Sequence, residues 1–126
     1  MLHLIAVGLG GLAGAIARYG ISNFVNRKMG AGMPLGTLAV NLIGCFAAGL
    51  LITLAAERNL FSEQTRLFLI TGFMGSLTTF STFGYETLFL ARDGAADAAL
   101  FNVALNVVLG VCCVWGGMSC ARIIQG

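Results

Sequence analysis

The sequence predicts an all-α integral membrane protein with four transmembrane helices, on the basis of its composition and the spacing of its charges. The chain has 126 residues, of which 58 % are hydrophobic and only 10 % are charged. Soluble domains carry about 25 % charged residues, so this chain cannot cover a soluble fold with polar side chains. Its apolar content also excludes disorder, and a net charge of +2 is too small for nucleic-acid binding. We therefore expect a single transmembrane domain over residues 1–126, surrounded by a lipid bilayer.

The charged residues are clustered, and the uncharged runs between the clusters predict the membrane spans. The longest run without a charged residue or histidine, residues 29–56, has 28 residues, whereas a helix needs about 20 to cross a bilayer. Helices are expected because an open sheet cannot satisfy its backbone in lipid. The first span continues past Arg18 without a signal-peptide cleavage pattern, so we expect it to be retained. The predicted spans are Leu4–Phe24, Pro34–Ala56, Gln64–Leu90 and Ala98–Cys120.

The basic residues give no preferred orientation across the membrane. Three of them flank the spans on the N-terminal side and three on the opposite side, whereas topology normally follows an excess of Lys and Arg on cytoplasmic loops. Many transporters combine two halves of inverted topology, and two copies of this chain in opposite orientations would supply the inverted half. We therefore expect an antiparallel, dual-topology homodimer. The six flanking residues are Arg58, Arg66 and Arg122 on the N-terminal side and Arg27, Lys28 and Arg92 on the other, and the seventh, Arg18, lies inside the first span.

The third span carries an unusual density of hydroxyl residues. A single Ser or Thr in a membrane helix bonds its own backbone or a neighbouring helix, a contact worth about 0.6 kcal/mol. Here hydroxyl residues follow Gly72 and Gly75 in close succession. This density predicts a helix that breaks and lines a wet or ionic path, because irregular backbone at membrane depth occurs only at such places. The hydroxyl residues are Thr78, Thr79, Ser81 and Thr82.

Two phenylalanines interleave with these hydroxyl residues. Phe80 and Phe83 are three positions apart, so they project from one face of a helix. A lone Phe in a membrane span contacts lipid or packs in a core, but ring edges turned into a path would attract a small anion weakly. An amide from Asn41 would add a hydrogen-bond donor. Such groups suit an anion that must bind and still leave quickly.

Three stretches resemble the Fluc (CrcB) family of fluoride channels. They are GGLAGAIARY at residues 10–19, GTLAVNLIG at residues 36–44 and GFMGSLTTFSTFGYE at residues 72–86. The third stretch is the most specific, and the resemblance covers nearly the whole chain. It implies a multi-pass protein of the inner (plasma) membrane that exports fluoride passively through two antiparallel pores in a dual-topology homodimer.

The resemblance also implies roles for individual residues. Phe80 and Phe83 would line the pores and Asn41 would donate a hydrogen bond to fluoride. A structural sodium ion would lie at the dimer interface, held by the main-chain carbonyls of Gly75 and Thr78. Further pore and vestibule positions would be Ser81, Thr82 and Glu86 in a polar track, Thr37 beside Asn41, Asn106 on the fourth-span wall and Arg18 at a vestibule.

Other interpretations remain open at this point. A small proton-coupled multidrug transporter would also have about four short helices, but it needs an acidic residue deep in a helix, whereas Glu86 lies near a span end. A structural subunit of a larger complex would not explain the Phe and hydroxyl track. No nucleophile and base pair points to an enzyme. Gly10 and Gly14 form a G-x-x-x-G pair, which favours close helix contact either within one subunit or at a dimer interface.

Overall fold

The computed structural model describes residues 1–30, 32–58 and 60–125, and their regular structure is helical throughout. We number five helices: α1 is Leu2–Met29, α2 is Leu35–Arg58, α3 is residues 63–77, α4 is Phe80–Arg92 and α5 is residues 96–125. The third span consists of α3 followed by α4. Within the described residues, four segments are long and apolar enough to cross a membrane, which confirms the prediction of four spans. These segments are Leu2–Met29, Leu35–Glu57, Glu63–Arg92 and Ala96–Ile124.

The helices extend beyond the predicted spans at most of their ends. The predictions stopped near the first polar residues, but helical hydrogen bonding continues through Arg27 and Lys28 in the last turn of α1, where positive charge is favoured by the helix dipole. Gly30 and Gly94 end α1 and α4 with positive φ, a conformation that glycine adopts without steric cost. Ser62 begins α3, because its Oγ accepts a hydrogen bond from the Thr65 amide at 3.2 Å.

The third span is interrupted at Thr78 and Thr79. The backbone is extended at both residues, with φ, ψ of −82°, 156° at Thr78 and −148°, 114° at Thr79. Helix α4 begins directly afterwards, and the Thr79 hydroxyl caps it by accepting a hydrogen bond from the Thr82 amide at 3.2 Å. The interruption therefore leaves the end of one helix and the start of another at the same depth.

Two π-helical segments interrupt the α-helical hydrogen-bonding pattern. Leu67–Met74 forms one inside α3, and Leu105–Leu109 forms the other inside α5. The sequence pattern did not predict them, because a π turn changes the register of side chains without requiring a particular residue type. Such segments occur often at functional sites, and the second contains Asn106, a predicted pore residue.

Glycines allow α1 and α3 to approach each other closely. Gly10 and Gly14 are both buried, and a Cβ at Gly10 would overlap the carbonyl of Phe68. A Cβ at Gly14 would overlap the carbonyl of Phe73 in the same way. The G-x-x-x-G pair is therefore used for packing within the chain, which is the first of the two interpretations considered above. Beside this contact lies a small buried cluster of Val40, Met74 and Leu77.

Glycines also join α2 to α5. A Cβ at Gly49 would overlap the carbonyl of Val114, and a Cβ at Gly117 would overlap the carbonyl of Phe46. In lipid, close backbone approach through small residues is the usual basis of helix association. The fold is therefore two closely packed helix pairs, α1 with α3 and α2 with α5. Helix α4 contacts residues of both the second and the fourth spans.

Two exposed pairs of basic and acidic side chains mark one end of the described helix bundle. His3 Nε2 lies 3.6 Å from Glu63 Oε2, and Arg122 Nε lies 3.7 Å from Glu57 Oε1. Pairs of this kind add little stability, but they bring the first residues, the start of α3 and the end of α5 together. Both ends of the described chain therefore lie on one side of the membrane. The side chain of Arg58, counted above on this side, lies outside the described residues.

Gly14→Ala tests the close approach of α1 and α3. We expect a loss of about 1–3 kcal/mol in the free energy of unfolding, because the added methyl group must displace the backbone of Phe73. Thermal unfolding of the purified protein in detergent measures the effect. Gly20→Ala in the same helix is the control, since nothing lies within 4 Å of a Cβ there. Equal unfolding temperatures for both variants would contradict the packing argument.

Candidate functional site

Two cavities meet at the interruption of the third span. The first has a volume of about 460 Å³, and its lining includes Asn41, Phe80, Phe83 and Asn106. The second has a volume of about 340 Å³, and its lining includes four further predicted residues, Arg18, Thr37, Thr82 and Glu86. Thr79 contributes to both linings. The structure thus gathers these residues into two groups, one on each side of the extended residue Thr79.

Asn41 joins α2 to the interruption. Its Oδ1 accepts a hydrogen bond from the Thr79 amide at 2.8 Å, and its Nδ2 donates to the Thr79 carbonyl at 3.2 Å. The side chain thus pairs with the main chain of Thr79 much as a neighbouring β-strand would. Nδ2 also donates to Asn106 Oδ1 at 3.0 Å. Because an asparagine has only two amide hydrogens, both donors of Asn41 are engaged by protein acceptors.

The interruption releases main-chain carbonyls. In a continuous α-helix the Gly75 carbonyl would accept from the Thr79 amide, and the Thr78 carbonyl from the Thr82 amide. Here the Thr79 amide donates to Asn41 and the Thr82 amide donates to the Thr79 hydroxyl. Gly75 and Thr78, the two residues predicted to hold sodium through their carbonyls, have therefore both lost their helical donors. Carbonyl oxygens are ligands that suit hard cations, so the donor chemistry fits such an ion.

Phe80 and Phe83 form a tilted aromatic pair at the first cavity. Their ring centroids are 5.6 Å apart and their planes meet at 54°. Phe83 is partly buried, whereas Phe80 is 83 % exposed in the single chain. The first cavity has no charged residue in its described lining. Any ion there would meet ring edges, amides and backbone dipoles.

The second cavity is polar and carries both signs of charge. Arg18 is partly buried on its wall, and Glu86 lies on the same lining. Thr37 Oγ1 donates a hydrogen bond to Glu86 Oε1 at 2.9 Å, which orients the carboxylate. Among the described residues, Glu86 Oε2 is buried without a hydrogen-bond partner. This oxygen is left for a water or another group that enters the cavity.

The predicted hydroxyl track is only partly continuous. Thr79 Oγ1 donates to Thr82 Oγ1 at 2.9 Å, which links the interruption to the second cavity. Ser81 is exposed, and its Oγ lies 3.4 Å from Thr79 Oγ1. Ser81 is absent from the described linings of both cavities. Both residues are thus exposed in the single chain, but Thr82 also lies on the lining of the second cavity.

Two residues of the site were not predicted. Asn102 Nδ2 donates to Thr87 Oγ1 at 2.9 Å, and Asn106 Nδ2 donates to the Asn102 carbonyl at 3.0 Å. In the sequence, Asn102 and Asn106 are four apart on one helix face, as expected of polar residues at a helix interface, but only Asn106 was assigned to the site. On α4, Thr87 lies four positions after Phe83 and therefore shares a helix face with it.

Comparisons with known proteins identify the family. The model of the family described as "CrcB-like protein, Camphor Resistance (CrcB)" matches residues 5–118. This chain belongs to the CrcB-like family. A relative in Salinibacter ruber, named "Fluoride-specific ion channel FluC", is 47 % identical over 126 residues, covering 100 % of this chain and 94 % of the relative. A relative of the same name in Geobacter metallireducens is 41 % identical over 122 residues, covering 97 % and 98 %.

The family assignment bears on several sequence predictions. The predicted resemblance to the Fluc (CrcB) family is confirmed, as is a multi-pass membrane protein. The relatives are named as ion channels, which are not enzymes, in agreement with the prediction for this chain. The roles of individual residues stay predictions, now with defined positions around the two cavities.

Asn41→Leu tests the cap on the interruption. We expect the free energy of unfolding to fall by about 1–3 kcal/mol, because Thr79 is buried and its amide and carbonyl lose their partner. Thermal unfolding reports the loss, and amide hydrogen exchange locates it. Exchange should accelerate at Thr79 more than elsewhere in the third span. Unchanged exchange at Thr79 would show that Asn41 does not hold this backbone.

Proposed function

We propose that this chain is a fluoride channel that lets fluoride leave the cell passively. The observation that carries the proposal is the meeting of an aromatic pair and a capped helix interruption at one uncharged cavity. The family assignment supports it, since relatives covering nearly the same length are named fluoride-specific ion channels. The multidrug transporter needs an acidic residue deep in a helix, whereas Glu86 lies near the end of the third span, where Thr37 orients its carboxylate.

Weak, distributed attraction for an anion follows from the geometry of the first cavity. Ring edges of Phe80 and Phe83 carry partial positive charge. The first turn of α4 starts at the same place, and a helix N-terminus also favours anions. A full positive charge would hold fluoride too tightly for rapid passage, because conduction requires that the ion leave. In this proposal Arg18 attracts anions from the second cavity without binding them at the aromatic pair.

Asn41 enters this proposal through exchange of a hydrogen bond. Its amide hydrogens are donated to the Thr79 carbonyl and to Asn106 Oδ1. Fluoride that reaches Phe83 would take the place of Asn106 Oδ1 as acceptor, and the link to Asn106 would re-form when the ion moves on. The Asn41 amide thereby exchanges one acceptor for another, so that its donor is not left unpaired.

The proposed assembly is an antiparallel, dual-topology homodimer in the inner membrane, with two pores. Phe80 is 83 % exposed in the single chain although it lies beside the cavity. A second copy would cover this ring and close the open side of the cavity. The equal distribution of basic residues at the two ends permits insertion in both orientations.

We further propose a structural sodium ion between the two chains, held by the carbonyls of Gly75 and Thr78. Their amide donors are directed elsewhere, as described above. Gly75 is exposed, with nothing within 4 Å of the position a Cβ would take, so its backbone is accessible to a second chain. When bound, the ion would supply positive charge that compensates these carbonyls.

Ion efflux from liposomes tests the channel. We expect rapid fluoride efflux without chloride efflux, measured with ion-selective electrodes. Replacing Phe80 or Phe83 by Ile should slow fluoride by about tenfold, which corresponds to about 1.4 kcal/mol of lost ion–ring attraction at the barrier. Phe24→Ile is the control, since this exposed ring lies on α1 away from both cavity linings. Absence of fluoride efflux from a folded dimer would overturn the proposal.

Added positive charge at one end tests dual topology. Asp93→Lys with Asp97→Lys should trap one orientation, and Glu57→Lys with Glu63→Lys the other, since basic loops stay cytoplasmic. Each variant alone should fail to protect channel-deficient cells from fluoride, whereas co-expression should restore growth.

The neutral variants Asp93→Asn with Asp97→Asn control for loss of the acidic groups, and we expect them to protect cells as the parent does. Full protection by either Lys variant expressed alone would contradict the antiparallel dimer.

A further inference from the structure

A chain of side-chain hydrogen bonds crosses from α2 to α5 and returns to α4. It begins at the Thr79 main chain and ends where Thr87 Oγ1 donates to the Phe83 carbonyl at 2.7 Å. We call this chain the amide relay. Its members in order are Asn41, Asn106, Asn102 and Thr87.

The backbone at each end fixes the direction of the relay. The Thr79 amide can only donate, so Asn41 must present Oδ1 to it and Nδ2 to Asn106. Asn106 then presents Oδ1 to Asn41, and its Nδ2 donates to the carbonyl and the Oδ1 of Asn102, at 3.0 and 3.1 Å. Every amide in the relay therefore has one orientation that satisfies its neighbours.

The hydrogen bonds at the far end of the relay, at Thr87, are also fixed in direction. The Phe83 carbonyl can only accept, so the single hydroxyl hydrogen of Thr87 is used there. Thr87 Oγ1 is then free to accept from Asn102 Nδ2. Asn102 is only 1 % exposed, and a reversed amide there would set donor against donor without water to relieve it. Thr87 therefore reinforces the orientation of Asn102 that the hydrogen bond from Asn106 also requires.

The two ends of the relay enclose the turn that bears the aromatic pair. Thr79 and Phe83 are four positions apart, and Phe80 and Phe83 belong to the turn between the anchored groups. The relay thus ties this turn of α4 to α2 and α5. A shift of α4 along its axis would break at least one of its bonds.

We propose that Thr87 and Asn102 are positioning residues of the fluoride path. They hold the Asn106 amide and the Phe80–Phe83 turn in fixed relation, so that Asn106 returns to the Asn41 amide when the ion moves on, and they do not themselves contact the ion. The proposal rests on the proposed fluoride conduction. In this proposal, Asn102 on the fourth span acts through Asn106 to orient the amide donor of Asn41 on the second span.

Fluoride efflux from liposomes tests this assignment with matched variants. Thr87→Val keeps the shape but removes the hydroxyl, whereas Thr87→Ser retains it. We expect Thr87→Val to slow efflux by about threefold to tenfold, the range that interhelical hydrogen bonds contribute in membranes, and Thr87→Ser to restore the parent rate. Asn102→Leu breaks the relay one link earlier, so the test stands if Thr87→Val does not fold.

Two further measurements separate positioning from general stability. Thr53→Val removes another buried threonine hydroxyl, on α2 away from both cavity linings, and should leave efflux unchanged. The double variant Thr87→Val with Asn102→Leu should be no slower than the slower single variant, because both break one unit. Additive losses, or equal slowing by Thr87→Ser and Thr87→Val, would overturn the proposal.

Amide hydrogen exchange at Thr79 distinguishes failure of the relay from failure of the proposed function. We expect faster exchange in Thr87→Val than in Thr87→Ser, because the relay transmits the loss through Asn41. If the parent protein conducts no fluoride, the proposed function fails and this exchange measurement alone decides the relay. Equal exchange in both variants would then show that Thr87 does not position Asn41.

Discussion

The structure depends on how the backbone at Thr78 and Thr79 is satisfied. A membrane helix that stops and restarts exposes amides and carbonyls to a region without water, where each unpaired group costs several kcal/mol. Asn41 pairs with both main-chain groups of Thr79, and the Thr79 hydroxyl caps α4. The Thr79 main chain and the start of α4 are thus satisfied by uncharged groups, whereas the carbonyls of Gly75 and Thr78 have lost their helical donors.

The same interruption creates opposite electrostatic preferences within one turn. The amide-rich start of α4 and the aromatic ring edges favour an anion, whereas the released carbonyls of Gly75 and Thr78 favour a cation. Both preferences come from partial charges that belong to the fold. An ion path through such a place needs no full charge among its lining residues, and the described lining of the first cavity is uncharged.

Sequence patterns predicted most of the fold and part of the site. Uncharged runs predict the spans because a helix must be long and apolar enough to cross the bilayer. The density of hydroxyl residues pointed to the segment in which the third span is interrupted. The π-helical segments were not predictable, since they depend on packing between helices. Asn41 was predicted as a donor to an ion, whereas its described partners are protein groups. The link from Asn102 to Thr87 was missed because it joins different helices, and a contact of that kind leaves no periodicity.

A channel for a small anion faces two requirements that conflict. Its site must be rigid enough to reject other ions, yet it must hold its ion weakly enough to release it. Fixed charges supply rigidity and strength together, so they meet only the first requirement. A relay of neutral amides separates rigidity from strong binding. Each hydrogen bond fixes the orientation of the next amide, while the ion meets only dipoles. Asn102 and Thr87 are suited to this task by their burial and by the backbone anchor at Phe83. In the proposed mechanism, selectivity depends on the precision of a hydrogen-bonded frame that presents one amide and two aromatic rings to the ion.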